Sequence, residues 1–268
     1  MPGTYIPHIY DAHLHLHLDQ RPEGQAPTHA LLSALGGAAL MSTAPTDWEA
    51  VSALARAHPH ARCLLGIHPW YAHAYAGDAL GGWMEALRHH LKVTPKSAIG
   101  EIGLDRRWRP PGLTEVQYTA QREVFIAQLT LAAALELPVS VHCVHAHGDL
   151  QQLLSDAPRL PPAIYLHAFG GARGTVEQLV RARRYGDRLY FGFAACVNLR
   201  SPKTAEVIRA VPQDRVVVES DRASHEEVAQ ELELMLGRYA ELFGWSGVAE
   251  AADRTARNAR ALYGAAGR

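Results

Sequence analysis

Eight short apolar, β-prone runs, most of them separated by stretches of helical composition, constrain this chain more than any other feature. They cover 8–15, 37–42, 62–68, 98–104, 139–143, 163–169, 189–195 and 215–221. Alternation of this kind is the signature of repeated βα units around a parallel sheet rather than of an antiparallel sandwich. Eight such units close into a (β/α)8 TIM barrel. The 268 residues, 48% of them hydrophobic, fill one barrel core and leave little for a second domain, so 1–268 is expected to form a single domain.

The clearest helix is expected over 114–135, with Thr114 and Gln117 in capping-box spacing and Phe125, Leu129 and Ala132 along one face. Another is expected to start near Ser224, whose hydroxyl can cap it, and a last one over 247–263. The segment 68–96 has no strand character. In a βα barrel it follows strand three on the catalytic face, where it would form part of a substrate wall.

Lys plus Arg (26) and Asp plus Glu (27) nearly cancel, leaving a net charge of −1, so no net positive field is available for non-specific duplex binding. Cys63, Cys143 and Cys196 lie in apolar, strand-like runs without the CxxC spacing of a structural zinc site or redox pair, and read as buried, reduced thiols. The N-terminal stretch lacks the basic and apolar regions of a signal peptide, and no window approaches the ~20 apolar residues of a membrane span. The expectation is a cytoplasmic protein, with the nucleus as an alternative, and no membrane partner.

The ends of these runs carry polar markers: His13 and His15, His68, Glu101, His142, His167 and Asp221. Imidazoles and carboxylates delivered from successive strand ends to one place describe a divalent-metal site suited to hydrolysis. Asp11, His13 and His15 share strand parity, so they are expected on one face, with the two imidazoles gripping one ion. His17 is expected on an exposed loop. Glu101, alone in an apolar run, is costly to bury unless it is coordinated or paired; it either bridges two ions or bonds Arg106 or Arg107. His142 and His167 end consecutive strands and read as ligands of a second ion, or else as core histidines bonded to backbone. Asp221 is assigned as the general base, and Glu219 either orients a histidine or forms a buried ion pair. His68 is assigned to substrate contact, with packing on Trp70 as the rival reading.

Taken together, the motifs DAHLHL, GIHPW, AIGEIGLD, the helix with Gln121 and Phe125 before LPVSVH, LHAFGG, ESD and Asn258 in ARNARALYG resemble the TatD family of metal-dependent hydrolases over nearly the whole chain. The resemblance implies a barrel of the amidohydrolase type and a magnesium- or zinc-dependent deoxyribonuclease. It implies two divalent ions, with Glu101 bridging, His13, His15 and Asp221 on one and His142 and His167 on the other, and His68 on substrate phosphate. Two positions after His142 the family commonly has arginine, where this chain has Val144; after ESD it commonly has a nearby proline, where DRASHEE follows here. Arg106 stands where an aromatic is common and would restore the lost charge as a substrate-binding group. The altered substrate shell is similar to a divergent fungal branch in which some members are named for binding another protein.

The leading expectation is therefore hydrolysis of DNA or a small phosphodiester by a metal-activated water, with Asp221 and Glu101 as catalytic groups. The alternatives are hydrolysis of an ester, lactone or amide, and a protein-interaction module with little activity. Nitrogen and oxygen donors fit Zn, Mn or Mg. Trp70, Tyr71 and Trp108 would stack bases of a short single strand if they reach the rim.

Overall fold

A computed structural model describes residues 6–19, 21–108 and 115–264. All eight expected strands are present: β1 (Tyr10–Leu14), β2 (Gly37–Met41), β3 (Ala61–Leu65), β4 (Ser97–Asp105), β5 (Val139–Val144), β6 (Ile164–Leu166), β7 (Leu189–Phe193) and β8 (Val216–Val218). They lie side by side in chain order, and every neighbouring pair from β1–β2 to β7–β8 is parallel. Parallel neighbours require crossovers. These are built by α1 (Pro22–Ala34), α2 (Trp48–Ala57), α3 (Leu80–Val93), α4 (Glu115–Leu135), α5 (His147–Asp156), α6 (Arg173–Arg181), α7 (Ala195–Asn198) and α8 (Thr204–Ala210), and α9 (His225–Phe243) and α10 (Val248–Gly264) follow β8. The architecture is a (β/α)8 TIM barrel.

The helix expectations hold closely. The Ser224 hydroxyl accepts the Glu226 N–H at 3.4 Å and caps α9. Thr114, the expected cap of α4, lies outside the described residues. Between β3 and α3 the chain makes two 3₁₀ turns, Ala72–Ala74 and Gly77–Ala79, and no strand. Cys63 and Cys143 are buried on β3 and β5, whereas Cys196 lies half-buried in the α7 turn rather than in a strand; all three are free. Among the described residues no helix is long and apolar enough to cross a membrane.

Two buried clusters organise the core. The larger packs strand side chains such as Leu65, Ile99, Val141 and Phe191 under the helices. The second fills the barrel interior with Tyr10, Ala12, Ala39, Met41, Leu64, Ala98, Tyr165 and Val217, together with Ala256, Ala259, Leu262 and Tyr263 of α10. Tyr263 stacks on Tyr10 at 6.0 Å and its hydroxyl donates to the Ala12 carbonyl at 2.8 Å. The C-terminal helix thus plugs the N-terminal end of the barrel with apolar groups and leaves the C-terminal strand ends to polar ones.

Two glycines set the spacing inside. At Gly192 on β7 a Cβ would stand 1.9 Å from the Tyr165 hydroxyl, so this strand contributes space rather than a side chain. Gly103 has φ 150°, and a Cβ there would meet the His142 carbonyl oxygen at 1.9 Å. Glycine at this point lets β4 and β5 approach closely enough to bring Glu101 beside His142.

The barrel closes between β8 and β1 at the functional end. Asp221 N–H donates to the His13 carbonyl at 3.0 Å and His15 N–H to the Arg222 carbonyl at 2.8 Å. Asp11 reinforces the seam by accepting the Ser220 N–H at 3.1 Å and its hydroxyl at 2.5 Å. Strand parity groups Asp11 with His13 and His15, but the structure separates them. The β1 register shifts between Asp11 and Leu14, so alternation breaks and Asp11 faces β8.

Candidate metal centre

Glu101, only 2% exposed, is the hub of the strand-end cluster. Its Oε1 lies 2.8 Å from His167 Nε2, 2.9 Å from His142 Nδ1 and 3.2 Å from His68 Nε2. Its Oε2 lies 3.2 Å from His15 Nε2 and 3.3 Å from His13 Nε2. Asp221 Oδ1 stands 3.7 Å from His13 Nε2 and 3.8 Å from His15 Nε2. Six side chains from β1 and its end, β4, β5 and the ends of β6 and β8 therefore meet at one point, with His68 joining from the end of β3. The ion pair considered between Glu101 and Arg106 does not form: Arg106 reaches Asp149 on α5 at 2.6 Å and lies over the Tyr118 ring at 4.4 Å.

The outer partner of each ring fixes what its inner nitrogen offers. His15 Nδ1–H donates to the Met41 carbonyl at 3.1 Å, which leaves Nε2 as a free lone pair facing inward. His142 Nε2–H donates to Asp105 Oδ2 at 3.3 Å, which frees Nδ1. His13 Nδ1 lies 3.1 Å from the Ser140 hydroxyl, with Nε2 in the cluster. His68 is set the other way. The Trp70 backbone N–H donates to its Nδ1 at 3.2 Å, so the neutral ring carries its proton on Nε2 and presents a donor to the site. His167 Nδ1 is buried without a hydrogen-bond partner among the described residues, 3.9 Å from the Glu219 carboxylate.

The charges also point to a cation. Burial disfavours ionised Glu101, but His68, His167 and His13 around it outweigh that cost and hold the carboxyl well below its ordinary range. The His13 and His167 rings stack 3.9 Å apart and 9° from parallel, so both cannot be cationic. Burial, together with His167, pushes His13 down. Burial also opposes a charged His167, yet Glu101, Glu219 and Asp221 lift that ring to about 10. Burial drives His68 to about 4, consistent with a neutral donor. His13 Nε2 and His15 Nε2 face each other at 3.1 Å, close enough for either one shared proton or a cation between them to relieve the contact of their lone pairs. Among the described residues, three donor groups lie close enough to share an ion: His13, His15 and Asp221; His68, Glu101 and His142; and His13, His167 and Glu219. The tautomer of His68 argues against it as a ligand in the second group. Glu219 is already engaged by the Ala168 N–H at 2.6 Å and by the Tyr165 hydroxyl, and burial raises its carboxyl to about 8.

The strand ends turn sharply where they deliver these groups. Ala168, after His167, has φ 40°, and Asp221 has φ 53°. Left-handed conformations at non-glycine residues cost roughly 1–3 kcal/mol each and persist where surroundings impose them. Glu219 holds the Ala168 N–H, and the His13 carbonyl holds that of Asp221. The Asp221 side chain keeps 22% exposure, and burial raises its carboxyl against the pull of His167 and His15.

Two residues need a different reading from the one their positions invited. His17, expected on an exposed loop, is buried on the 3₁₀ turn Leu16–Leu18 and bonds Asp47 at 3.1 Å. Asp47 also accepts the Thr43 N–H at 2.8 Å and hydroxyl at 2.7 Å, which braces the loop after β2 behind His15. Asp105 is the functional residue that strand-end reasoning passed over. It is 5% exposed and accepts from His142, from Trp70 Nε1 at 2.8 Å, and from the Arg107 and Trp108 N–H groups at 2.7 and 3.0 Å. Burial opposes its charge, but the His142 and Trp70 bonds prevail and depress its pKa. A second carboxylate closing the run that contains Glu101 was the available signal. Gln121 clamps this strand end from α4, accepting the Asp105 N–H at 2.7 Å and donating to its carbonyl at 3.1 Å.

Comparison with known proteins places this site in context. The TatD related DNase family matches residues 10–264. The 3'-5' ssDNA/RNA exonuclease TatD of Erwinia amylovora is 32% identical over 250 residues, covering 85% of this chain and 89% of that protein. The Cut9-interacting protein scn1 of Schizosaccharomyces pombe is 25% identical over 321 residues, covering 89% and 93%. The crystal structure of YJJV, a TatD homolog from Escherichia coli K12, shares the fold with a TM-score of 0.75 at 24% identity, covering 97% of this chain and 99% of that one. With a parallel eight-stranded barrel and a family match running from the first strand to the last helix, this chain belongs to the TatD related DNase family.

Proposed function

We propose that this protein is a metal-dependent nuclease that hydrolyses phosphodiester bonds in short or end-engaged single-stranded DNA. The observation that carries the reading is the convergence of His13, His15, His142, His167 and Asp221 on buried Glu101, with the free lone pairs of His15 and His142 turned inward. Glu101 would bridge two divalent cations (Zn, Mn or Mg), with His13, His15 and Asp221 on one and His142 and His167 on the other. Cations held there supply Lewis-acid charge that acidifies water and neutralises a scissile phosphate.

The chain's own groups do the rest. Asp221 combines partial solvent access with a raised carboxyl pKa, which suits it to accept a proton from the attacking water. His68 presents Nε2–H and donates to a non-bridging phosphate oxygen. Asp105 keeps the His142 proton on the outer nitrogen. Arg106 stands at the rim and contributes to substrate binding by exchanging Asp149 for phosphate. Buried, free Cys63 and Cys143 accord with a reducing compartment, the cytoplasm or nucleus.

The test is cleavage of a short labelled single strand by chelator-stripped protein. Restoration by Zn, Mn or Mg, with a loss of about 100-fold or more in Asp221→Asn, supports the reading. Reconstituted protein that binds ions and leaves the strand intact overturns it.

A further inference from the structure

Trp70 and Trp108 form a stacked pair of indoles beside the metal centre, with ring centroids 4.5 Å apart and planes 15° from parallel. Trp70 follows β3 and Trp108 follows β4, so the pair spans two strand ends on the catalytic face. Its distance from the chemistry is short: the Trp70 ring lies 4.8 Å from that of His68 and 6.4 Å from that of His142.

Ordinary packing does not account for this pair. Among the described residues, Trp70 and Tyr71 are the exposed large aromatic side chains, at 37% and 43%, and both directly follow the His68–Pro69 step. Exposed ring surface at the edge of a phosphodiesterase site is what the face of an incoming aromatic would cover. A chain of net charge −1 also has no long-range attraction to draw in a polyanion, so local contacts must supply affinity.

We propose that the Trp70–Trp108 pair, flanked by Tyr71, is a stacking platform for the nucleobase next to the scissile phosphate. This rests on the phosphodiesterase reading above and names what the site selects. Every base has a π-face, so the platform favours an unpaired, base-bearing nucleotide without choosing a sequence. Trp70 is also a positioning residue, because its Nε1–H holds the Asp105 carboxylate that bonds His142.

The test compares two single strands that differ only at the nucleotide flanking the cleaved bond, one bearing a base and the other an abasic tetrahydrofuran. The wild type is expected to prefer the base by roughly 5- to 150-fold in kcat/KM, chiefly through KM. Trp108→Ala and Trp108→Leu should bring that ratio toward unity. Trp70→Phe, which keeps a ring but loses the N–H to Asp105, should retain the preference and lower kcat on both substrates alike. Equal cleavage of the two strands by the wild type, or a ratio that survives in both Trp108 variants, overturns the proposal. If the wild type cleaves neither, the nuclease reading fails and tryptophan fluorescence decides the platform on its own. Quenching by deoxyadenosine monophosphate but not by deoxyribose 5-phosphate, absent in the Trp108 variants, supports it; no quenching by either overturns it.

Discussion

Asp105→Asn tests whether the orientation of His142 sets metal affinity, because it preserves volume and places an amide where four N–H groups already point. Oδ2 receives Trp70 Nε1–H at 2.8 Å and His142 Nε2–H at 3.3 Å; Oδ1 receives the Arg107 and Trp108 N–H groups at 2.7 and 3.0 Å. A carboxylate accepts all four, whereas an asparagine turns its NH2 toward one pair whichever way it flips. Facing His142, the NH2 forces the ring proton onto Nδ1, which stands 2.9 Å from Glu101 and must be free to bind a cation. Facing the backbone pair, it loosens the turn that carries Trp108. Partners that orient a metal-ligating histidine are typically worth about 10- to 100-fold in metal affinity or activity. That corresponds to about 1.4–2.8 kcal/mol. Calorimetric titration of chelator-stripped wild type and variant with Mn²⁺, alongside strand cleavage at saturating metal, measures both quantities. Unchanged affinity and an unchanged rate, in a variant that folds normally, would refute the link from Asp105 through His142 to the ion.

Gly192→Ala should destabilise the metal-free protein by about 1–3 kcal/mol in urea unfolding, the usual range for overpacking. Its Cβ would stand 1.9 Å from the Tyr165 hydroxyl, which bonds Glu219. A wild-type midpoint would contradict that close approach. Metal affinity should rise from pH 6 to pH 9 with proton release. Burial opposes charge on His15, His142 and His167, but Glu101 and the other carboxylates outweigh it, so these rings sit above their ordinary value in the metal-free protein, His167 at about 10. Raised folded values mean that the stability from these protonated rings is fully present below the unfolded value of about 6.5 and is lost as pH rises through the folded values. A cation must displace the same protons, so it competes better at high pH. Titration heats at pH 7 that do not depend on the buffer's ionisation enthalpy would contradict this.

The eight strands were legible because each is a buried apolar run, and a parallel sheet covered on both faces leaves no alternation to misread. Their ends were not. The runs expected to extend to His15, Phe169 and Asp221 stop at Leu14, Leu166 and Val218; the polar groups stand just past the strands, and in the last two the backbone turns left-handed at Ala168 and Asp221. Nothing local in LHA or ESD marks that turn; it is imposed by Glu219 and by the His13 carbonyl from other strands. The polar markers were legible because an ionisable group at the end of an apolar run is costly without a partner. Asp105 was not, because its partners Trp70 and His142 are 35 and 37 residues away in sequence and only the closed barrel brings them together. The burial of His17 is hidden from the sequence for the same reason: it depends on Asp47 from the loop after β2.

Whether Glu101 joins two ions in one reactive centre is read from metal content after reconstitution and desalting, together with strand cleavage, for wild type and Glu101→Gln. About two divalent ions per wild-type chain and metal-dependent cleavage are expected, both lost when the buried carboxylate becomes an amide. A wild-type chain that carries no ion, or a Glu101→Gln chain that keeps both ions and cleaves at the wild-type rate, would contradict it.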